Sequence, residues 1–495
     1  MFFALKKGGK EMKKRKATAI LMAAVMATGV FSVIGTPVTA KADEDPVTVK
    51  WLMFGDKPED YDMVMEDLNQ KIKEKINVEL DLEIIPQGEY NDKVKLALTA
   101  GEDFDLVFTA SWINNFTENM TRDAFLPLDE LLETYGQDMK EAIPDWLMTV
   151  GKVNGQQYAI PNQQIIARQL GLGIQKSYAD KYGFDLTSFD DMSDLYPFLD
   201  QVAANETDKF AIDYFLYATV ENKYENIVDD YVFIDKNDPE ATLLPCTEVY
   251  AEEFKLDNEL FQKGYIRKDI ATVVDRNADI TAGRYVTLLG TYKPGLDTQY
   301  SQRLGTEMLA IPMGEAYINA NSGSEAMTAI NVNSKHPEEA MKLLNLVYTD
   351  KEIYNELLYG IEDVHYTKTG DNRVELIDGN KYNTVFSTYG WKFGNQFNQY
   401  LVPGQADDLW EETAKMNNEA PVSVLRGFVF DPSNVQTELT QLAAVKDEFK
   451  NGQYTTADIE KFITDRNEKM EQAGLSTLME EVQRQVDEWK AANGK

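Results

Sequence analysis

Between positions 47 and 110 the apolar residues change their period four times, and each change marks an element. "VTVKWLMF" (47–54) is almost wholly apolar, as a strand covered on both faces must be. "GDKPEDYD" then turns the chain into a helical pattern that runs to about Ile76. "VELDLEII" (78–85) alternates, with Val78, Leu80, Leu82 and Ile84 on one side and mainly carboxylates on the other. "PQGEYNDKVKLALTAG" predicts a short helix stopped by Gly101, and 105–110 predicts the next strand. Strand, helix, strand, helix, strand at this spacing predicts a parallel sheet with right-handed crossovers.

The pattern continues with a helix and turn over Leu126–Asp145 and a hairpin-like "GKVNGQQYAIPNQ". A strand near 169–175 leads into the helix "KSYADKYG", and a strand over Val286–Leu289 ends at Gly290. "NSKHPEEAMKLLNLVYTD" predicts an amphipathic helix. Pro337 and two glutamates open it, and Ala340, Leu343, Leu344 and Val347 fall on one face. A further helix starts at Thr349-Asp350, and the chain from about 432 reads as charged and helical.

The first 42 of the 495 residues follow another rule. Lys13, Lys14, Arg15 and Lys16 precede an apolar run over 17–35, and Ala40-Lys41-Ala42 offers a small-x-small cleavage site. This predicts a secretory signal cut after Ala42, with Met12 as an alternative start. An uncleaved anchor is the competing reading, because the apolar run is nearly long enough to span a bilayer. Cleavage would remove eight basic residues and one acidic residue, leaving 41 basic against 82 acidic and a formal charge of −41. That field repels nucleic acid and anionic membrane surfaces. Cys246 is the single cysteine, so no intramolecular disulfide forms, and no cysteine stands at the cleavage point to carry a lipid.

The chemistry of the common enzymes is missing. With two histidines, His336 at a helix start and His365 read as structural, no His/Cys spacing suggests zinc. There is no G-x-S-x-G and no P-loop, and "GLGIQK" (171–176) lacks the third glycine of a dinucleotide site. "DKNDPE" (235–240) reads as a solvated loop rather than a calcium site. No motif calls for a cofactor or a metal. Carboxylates are plentiful, yet none is singled out in the apolar setting that a general acid requires.

Aromatic residues beside amides recur in loops expected past strand ends, where ligands of open parallel sheets collect. Asp56 follows the first strand; Ser111, Trp112, Asn114 and Asn115 follow the third. Tyr158 precedes Asn162, Gln163 and Gln164, and Tyr292 stands near Asp297 and Gln299. "TYGWKFGNQFNQYL" (388–401) holds Tyr389, Trp391, Phe393, Asn395, Gln396 and Asn398 between glycines. Sugars offer apolar C–H faces to rings and hydroxyls to amides, which makes these loops candidate sugar contacts. Two alternatives stand: Trp112 folds back over the core, or "WKFGNQF" is a buried strand. Arg168 and Arg426 could hold a uronate or bridge surface carboxylates.

The order of "LVFTASW", "AFLPLDELL", "NGQQYAIP", "AGRYVTLLG" and "SKHPEEAMKLLNLVYTDKEIYNELLYG" resembles that of extracellular solute-binding proteins of ABC importers, the carbohydrate-type family. The tail "LRGFVFDPSNVQTELTQLAAVKDEF" is similar to the extra C-terminal domain of one Gram-positive branch. The resemblance implies an α/β, two-lobe, type II periplasmic-binding-protein-like fold, each lobe a sheet flanked by helices, with ligand in the cleft between. It assigns 47–163 plus 306–350 to lobe 1, 164–305 plus 351–425 to lobe 2, and 426–495 to a helix-rich extension packed on the lobes. It implies a monomeric, extracytoplasmic, non-enzymatic receptor that closes on a sugar or oligosaccharide and delivers it to a membrane permease. Ser111, Trp112, Gln163, Gln164, Tyr292 and Trp391 match the family's ligand-contact positions. That branch normally carries a lipid on a cysteine, and this chain has none there. A receptor for a peptide or another polar solute, and a secreted carbohydrate-active enzyme, are the competing functions.

Overall fold

The structure is a computed structural model. It describes residues 45–494 apart from 154, 187–188, 190–191, 214–217, 274–276 and 383–389. The expected leader with its cleavage site, and Tyr389, lie outside the described residues. No described helix is long and apolar enough to cross a membrane.

The opening pattern folds as its periods dictate. Val47–Phe54, Val78–Ile85 and Leu106–Thr109 are parallel strands, with Tyr61–Ile76 and Gln87–Ala100 as the crossovers. Gly101 takes φ +66° and its N–H closes the second helix on the Ala97 and Leu98 carbonyls. Met327–Ile330 and Ala159–Pro161 complete this sheet, in the order 78–85, 47–54, 106–109, 327–330, 159–161. Met327–Ile330 runs antiparallel to both neighbours, so the sheet is mixed. Helix Pro337–Thr349 buries Ala340, Leu343, Leu344 and Val347 against it. The Asp350 carboxylate accepts from the Glu352 and Ile353 amides and starts helix Lys351–Tyr359.

A second sheet has the order Met308–Tyr317, Arg168–Gln175, Tyr285–Thr291, Phe210–Asp213. Its glycine at 173 is required, because a Cβ there would stand 2.8 Å from the Tyr300 ring. A third, antiparallel sheet of Leu244–Pro245, Val232–Asp235 and Tyr224–Val228 shares one core with the C-terminal helices, through Phe233, Cys246, Leu442, Met470 and Val482.

Two expected boundaries are corrected. Met308–Tyr317, placed with the first lobe, pairs with Arg168–Gln175 in the second sheet, with Leu309 opposite Ile174 and Ile311 opposite Leu172. Residues 351–402, placed with the second lobe, pack on the first core through Ile353, Tyr354, Leu357, Phe393 and Tyr400. Which sheet claims an apolar segment depends on partners distant in sequence, and periodicity does not report partners. "WKFGNQF" is likewise no strand: two short 3-10 turns, Gly390–Lys392 and Gln396–Asn398, carry it.

The chain passes between the two main sheets at 162–167 and 318–326, and both passages are tied to the segment that follows residue 416. Asn417 accepts from the Ile166 and Ala167 amides (2.8 and 2.9 Å) and donates to the Gln164 carbonyl (2.7 Å). Ile318 donates to the Pro421 carbonyl and accepts from Ser423 N–H. The Arg426 guanidinium donates to the carbonyls of Asn319, Ala320, Ser322 and Trp146. Glu225 accepts from the Tyr317 hydroxyl and the Ala320 amide, while burial pushes its carboxyl above the usual range. Arg426 therefore holds backbone between the lobes, and neither a uronate nor a surface carboxylate.

Candidate functional site: an aromatic rim opening on a cleft

The two parallel strands Val47–Phe54 and Leu106–Thr109 end in Phe54 and Phe108, whose ring centroids lie 4.9 Å apart. The loops beyond them carry Asp56 and Trp112. Trp112 stacks edge-on against Phe54 at 5.6 Å, and Trp391 comes from the opposite side to within 6.4 Å of Trp112 and 6.1 Å of Phe54. Trp112 is nevertheless 45% exposed, with its indole N–H fixed to the Glu325 carbonyl at 2.9 Å. It thus stands at the rim with one edge anchored, and is not sealed under the core. Lys392, buried, holds its ammonium 4.7 Å above the Phe54 ring. Burial draws that ammonium down to about 8, and the Asp56 carboxylate pulls the other way.

The amides meet this rim through the backbone. Gln163 N–H donates to Gly394 O and Gln396 N–H donates to Gln163 O, which ties the 162–164 segment to the Trp391 turn. Asn162 donates its side-chain amide to the Trp391 carbonyl. Among the described residues the side-chain carbonyl oxygens of Asn162 and Gln163 are buried there without a hydrogen-bond partner. Gln164 is half-buried, its carbonyl held by Asn417. Asn395 accepts from Phe397 N–H and caps the second turn. Ser111 is exposed, its amide on Ser324 O.

Two expected contacts are placed elsewhere. Asn114 is 6% exposed and takes φ +43°. Its amide donates to Phe108 O, its carbonyl accepts from the Thr109 hydroxyl, and its N–H donates to Asn91. It shapes the loop that presents Trp112, since a side chain that bonds its own loop tolerates left-handed backbone. Asn114→Ala is expected to lower unfolding stability by about 1–3 kcal/mol, measured by denaturant titration. Tyr292 packs over Gly171, where a Cβ would lie 2.9 Å from its own Cβ, and among the described residues it joins no ring of the Trp112–Trp391 cluster. Its neighbour Lys293 lines the cavity described next.

Below the rim a cavity of 760 Å³ separates the turn after Tyr285–Thr291 from the 390–413 segment. Trp391, Trp410, Gln396 and Gln399 form one wall, and Lys293 and Arg303 the other. Gln399 O accepts from the Trp410 indole, so that ring too is fixed at one edge. Phe54, Lys293, Lys392 and Trp410 carried no signal in the sequence beyond their types; the aromatic density of 388–401 was the nearest one. His365 belongs to the scaffold: its Nδ1 accepts from Ile361 N–H and its Nε2 faces Asp60. In "DKNDPE" the Asp238 carboxylate is taken by the Glu240 and Thr242 amides. Among the described residues no group of His, Cys, Asp or Glu is placed to hold a metal ion.

Known proteins share both the frame and the tail. Residues 424–491 match a domain family described as a domain of unknown function, DUF3502. The crystal structure of the N-glycan transport solute binding protein NgtS from Streptococcus pneumoniae superposes with a TM-score of 0.81 at 26% identity, covering 89% of this chain and 98% of that one. The fold is that of two-lobe solute-binding proteins, and the chain is similar to those that serve ABC importers. It is similar over nearly its whole length to a carbohydrate ABC transporter substrate-binding protein of Streptococcus pneumoniae serotype 4, 28% identical over 97% of this chain and 99% of that protein. NgtS in complex with Man5GlcNAc superposes at 0.70 and 27% identity, over 90% of this chain and 98% of that one.

Proposed function

We propose that this chain is an extracytoplasmic, non-enzymatic receptor that captures an oligosaccharide between its lobes and delivers it to an ABC-type membrane permease. The observation that carries the reading is the pairing of edge-anchored indoles with amides around one cleft. Trp112, Trp391 and Trp410 offer flat faces to pyranose C–H surfaces, and Gln163, Gln396 and Gln399 offer fixed donors and acceptors to hydroxyls. The glycan complexes of NgtS support the same class of guest for this chain. Among the described residues no Asp or Glu lines the cavity, which favours a receptor over a glycosidase with its carboxylate pair. Export fits the basic cluster and apolar run before Ala42.

Capture by lobe closure needs a guest that binds the closed state better than the open one. The passages at 162–167 and 318–326 are where closure bends. The superposition on NgtS is better without a named glycan (0.81) than with Man5GlcNAc (0.70), as an open conformer would give. A panel of oligosaccharides, including mannosyl-N-acetylglucosamine glycans, is expected to raise the melting temperature. A guest at 100 times its dissociation constant adds about 2.7 kcal/mol. The same mixtures are expected to contain no shortened glycan after incubation. Released product would make the protein an enzyme and end the receptor reading.

A further inference from the structure

The chain is strongly acidic, with 83 Asp and Glu among 495 residues, and its surface hollows follow suit. The hollow beside Arg168 includes Glu221, Asp230 and Glu315, another holds Asp62, Glu66 and Glu79, and a third holds Glu133, Glu141 and Asp145. The 760 Å³ cleft departs from this pattern: among the described residues its lining contains Lys293 and Arg303 and no carboxylate. At one acidic residue in six, a lining of that size should hold about three.

Lys293 is the more telling of the two cations. It sits two residues past strand Tyr285–Thr291, in a turn closed by Gly295 at φ +75°. Most of the described lysines are paired, among them Lys176 with Asp180, Lys255 with Glu252 and Glu460, and Lys381 with Glu59. The Lys293 ammonium forms no ion pair and no hydrogen bond with a described residue, although it is half-buried in the cleft wall. The protein packed around it pushes the ammonium below the usual lysine range, with no carboxylate to offset the effect. A half-buried cation without a carboxylate beside it gains from a guest that supplies the partner.

We propose that the cleft holds a subsite for an acidic group on the glycan, a carboxylate or a sulfate, with Lys293 as its counter-charge and Arg303 at its mouth. This rests on the oligosaccharide reading and narrows the class of guest. Stacking on Trp391 and Trp410 positions the sugar, and the ammonium then selects among sugars of similar shape. The overall negative field of the chain slows the approach of such a guest, so the preference lies in residence rather than in capture rate.

The test uses three versions of one oligosaccharide that binds: neutral, bearing one terminal carboxylate, and bearing one sulfate. Calorimetry at about 0.05 M salt is expected to show at least one acidic version bound about tenfold more tightly than the neutral one. The carboxylate and sulfate arms identify which acid fits. Lys293→Met is expected to abolish that preference, bringing the acidic versions to the affinity that the same variant shows for the neutral one, and 0.5 M salt is expected to shrink it in the parent chain. Equal affinity for the neutral and both acidic versions overturns the subsite and leaves the receptor reading intact. A preference that survives in Lys293→Met overturns the assignment to Lys293. Failure to bind any glycan overturns the receptor reading, and the subsite with it.

Discussion

Trp391→Ala is expected to weaken oligosaccharide binding about thirtyfold, and more than Trp112→Ala does. Trp391 is the ring that belongs to both parts of the site: it touches Phe54, Phe108 and Trp112 at the rim, and it lines the cavity beside Trp410. Removing a central tryptophan from a desolvated contact typically costs about 2 kcal/mol or more, which is a factor of about thirty in affinity. Trp112 is more exposed and its indole is held by Glu325 O, so its deletion removes one stacking face and little else. The Trp391 deletion also opens a void beside the first core, and part of any loss could come from the fold. Trp391→Phe separates the two effects, because a smaller ring keeps a stacking face at the same place. Calorimetry on all three variants, with melting curves beside it, checks the order. Should Trp391→Ala bind as the parent does while remaining folded, the cleft is not the site.

How far the sequence carried this reading depended on the range of the interaction involved. The strand and helix order of 47–110 was legible because each element is fixed by its own period and stop: the alternation of 78–85, the left-handed glycine after Ala100, the Asp350 cap. The rim was legible for a related reason, since loops past parallel strands converge at one edge whatever their detail. Asn114 and Tyr292 show where that stops. An asparagine in a polar loop looks the same whether it bonds a guest or Phe108 O, and only the folded loop distinguishes them. Tyr292 follows its strand as the pattern requires, but Gly171 on the paired strand leaves the space its ring occupies, and pairing registers lie outside single-chain patterns. Lys293 was invisible for the opposite reason: its character comes from the carboxylates it lacks, and absence from a neighbourhood has no local pattern.

The C-terminal domain is expected to be part of the hinge, and Arg426 is where the claim is most exposed. Its guanidinium donates to the carbonyls of Asn319, Ala320 and Ser322 in one passage between the lobes, and to Trp146 O beside the first sheet. Burial pushes its pKa below the usual range while the Glu325 and Glu225 carboxylates oppose that, so the charge rests chiefly on carbonyl dipoles. Arg426→Met leaves those acceptors without their donor and is expected to destabilise the protein by about 3–5 kcal/mol, read by denaturant unfolding. Arg426→Lys restores the charge without the planar fork that reaches several carbonyls at once, so it should recover only part of the loss. Glycan binding separates a hinge role from simple stability. If Arg426 fixes the path of 319–322, the folded fraction of Arg426→Lys should still bind, and its scattering profile should show a smaller compaction on ligand addition than the parent's. Full compaction with reduced stability would confine Arg426 to holding the C-terminal domain in place, and the bend would then fall to Asn417 and the 164–167 passage alone.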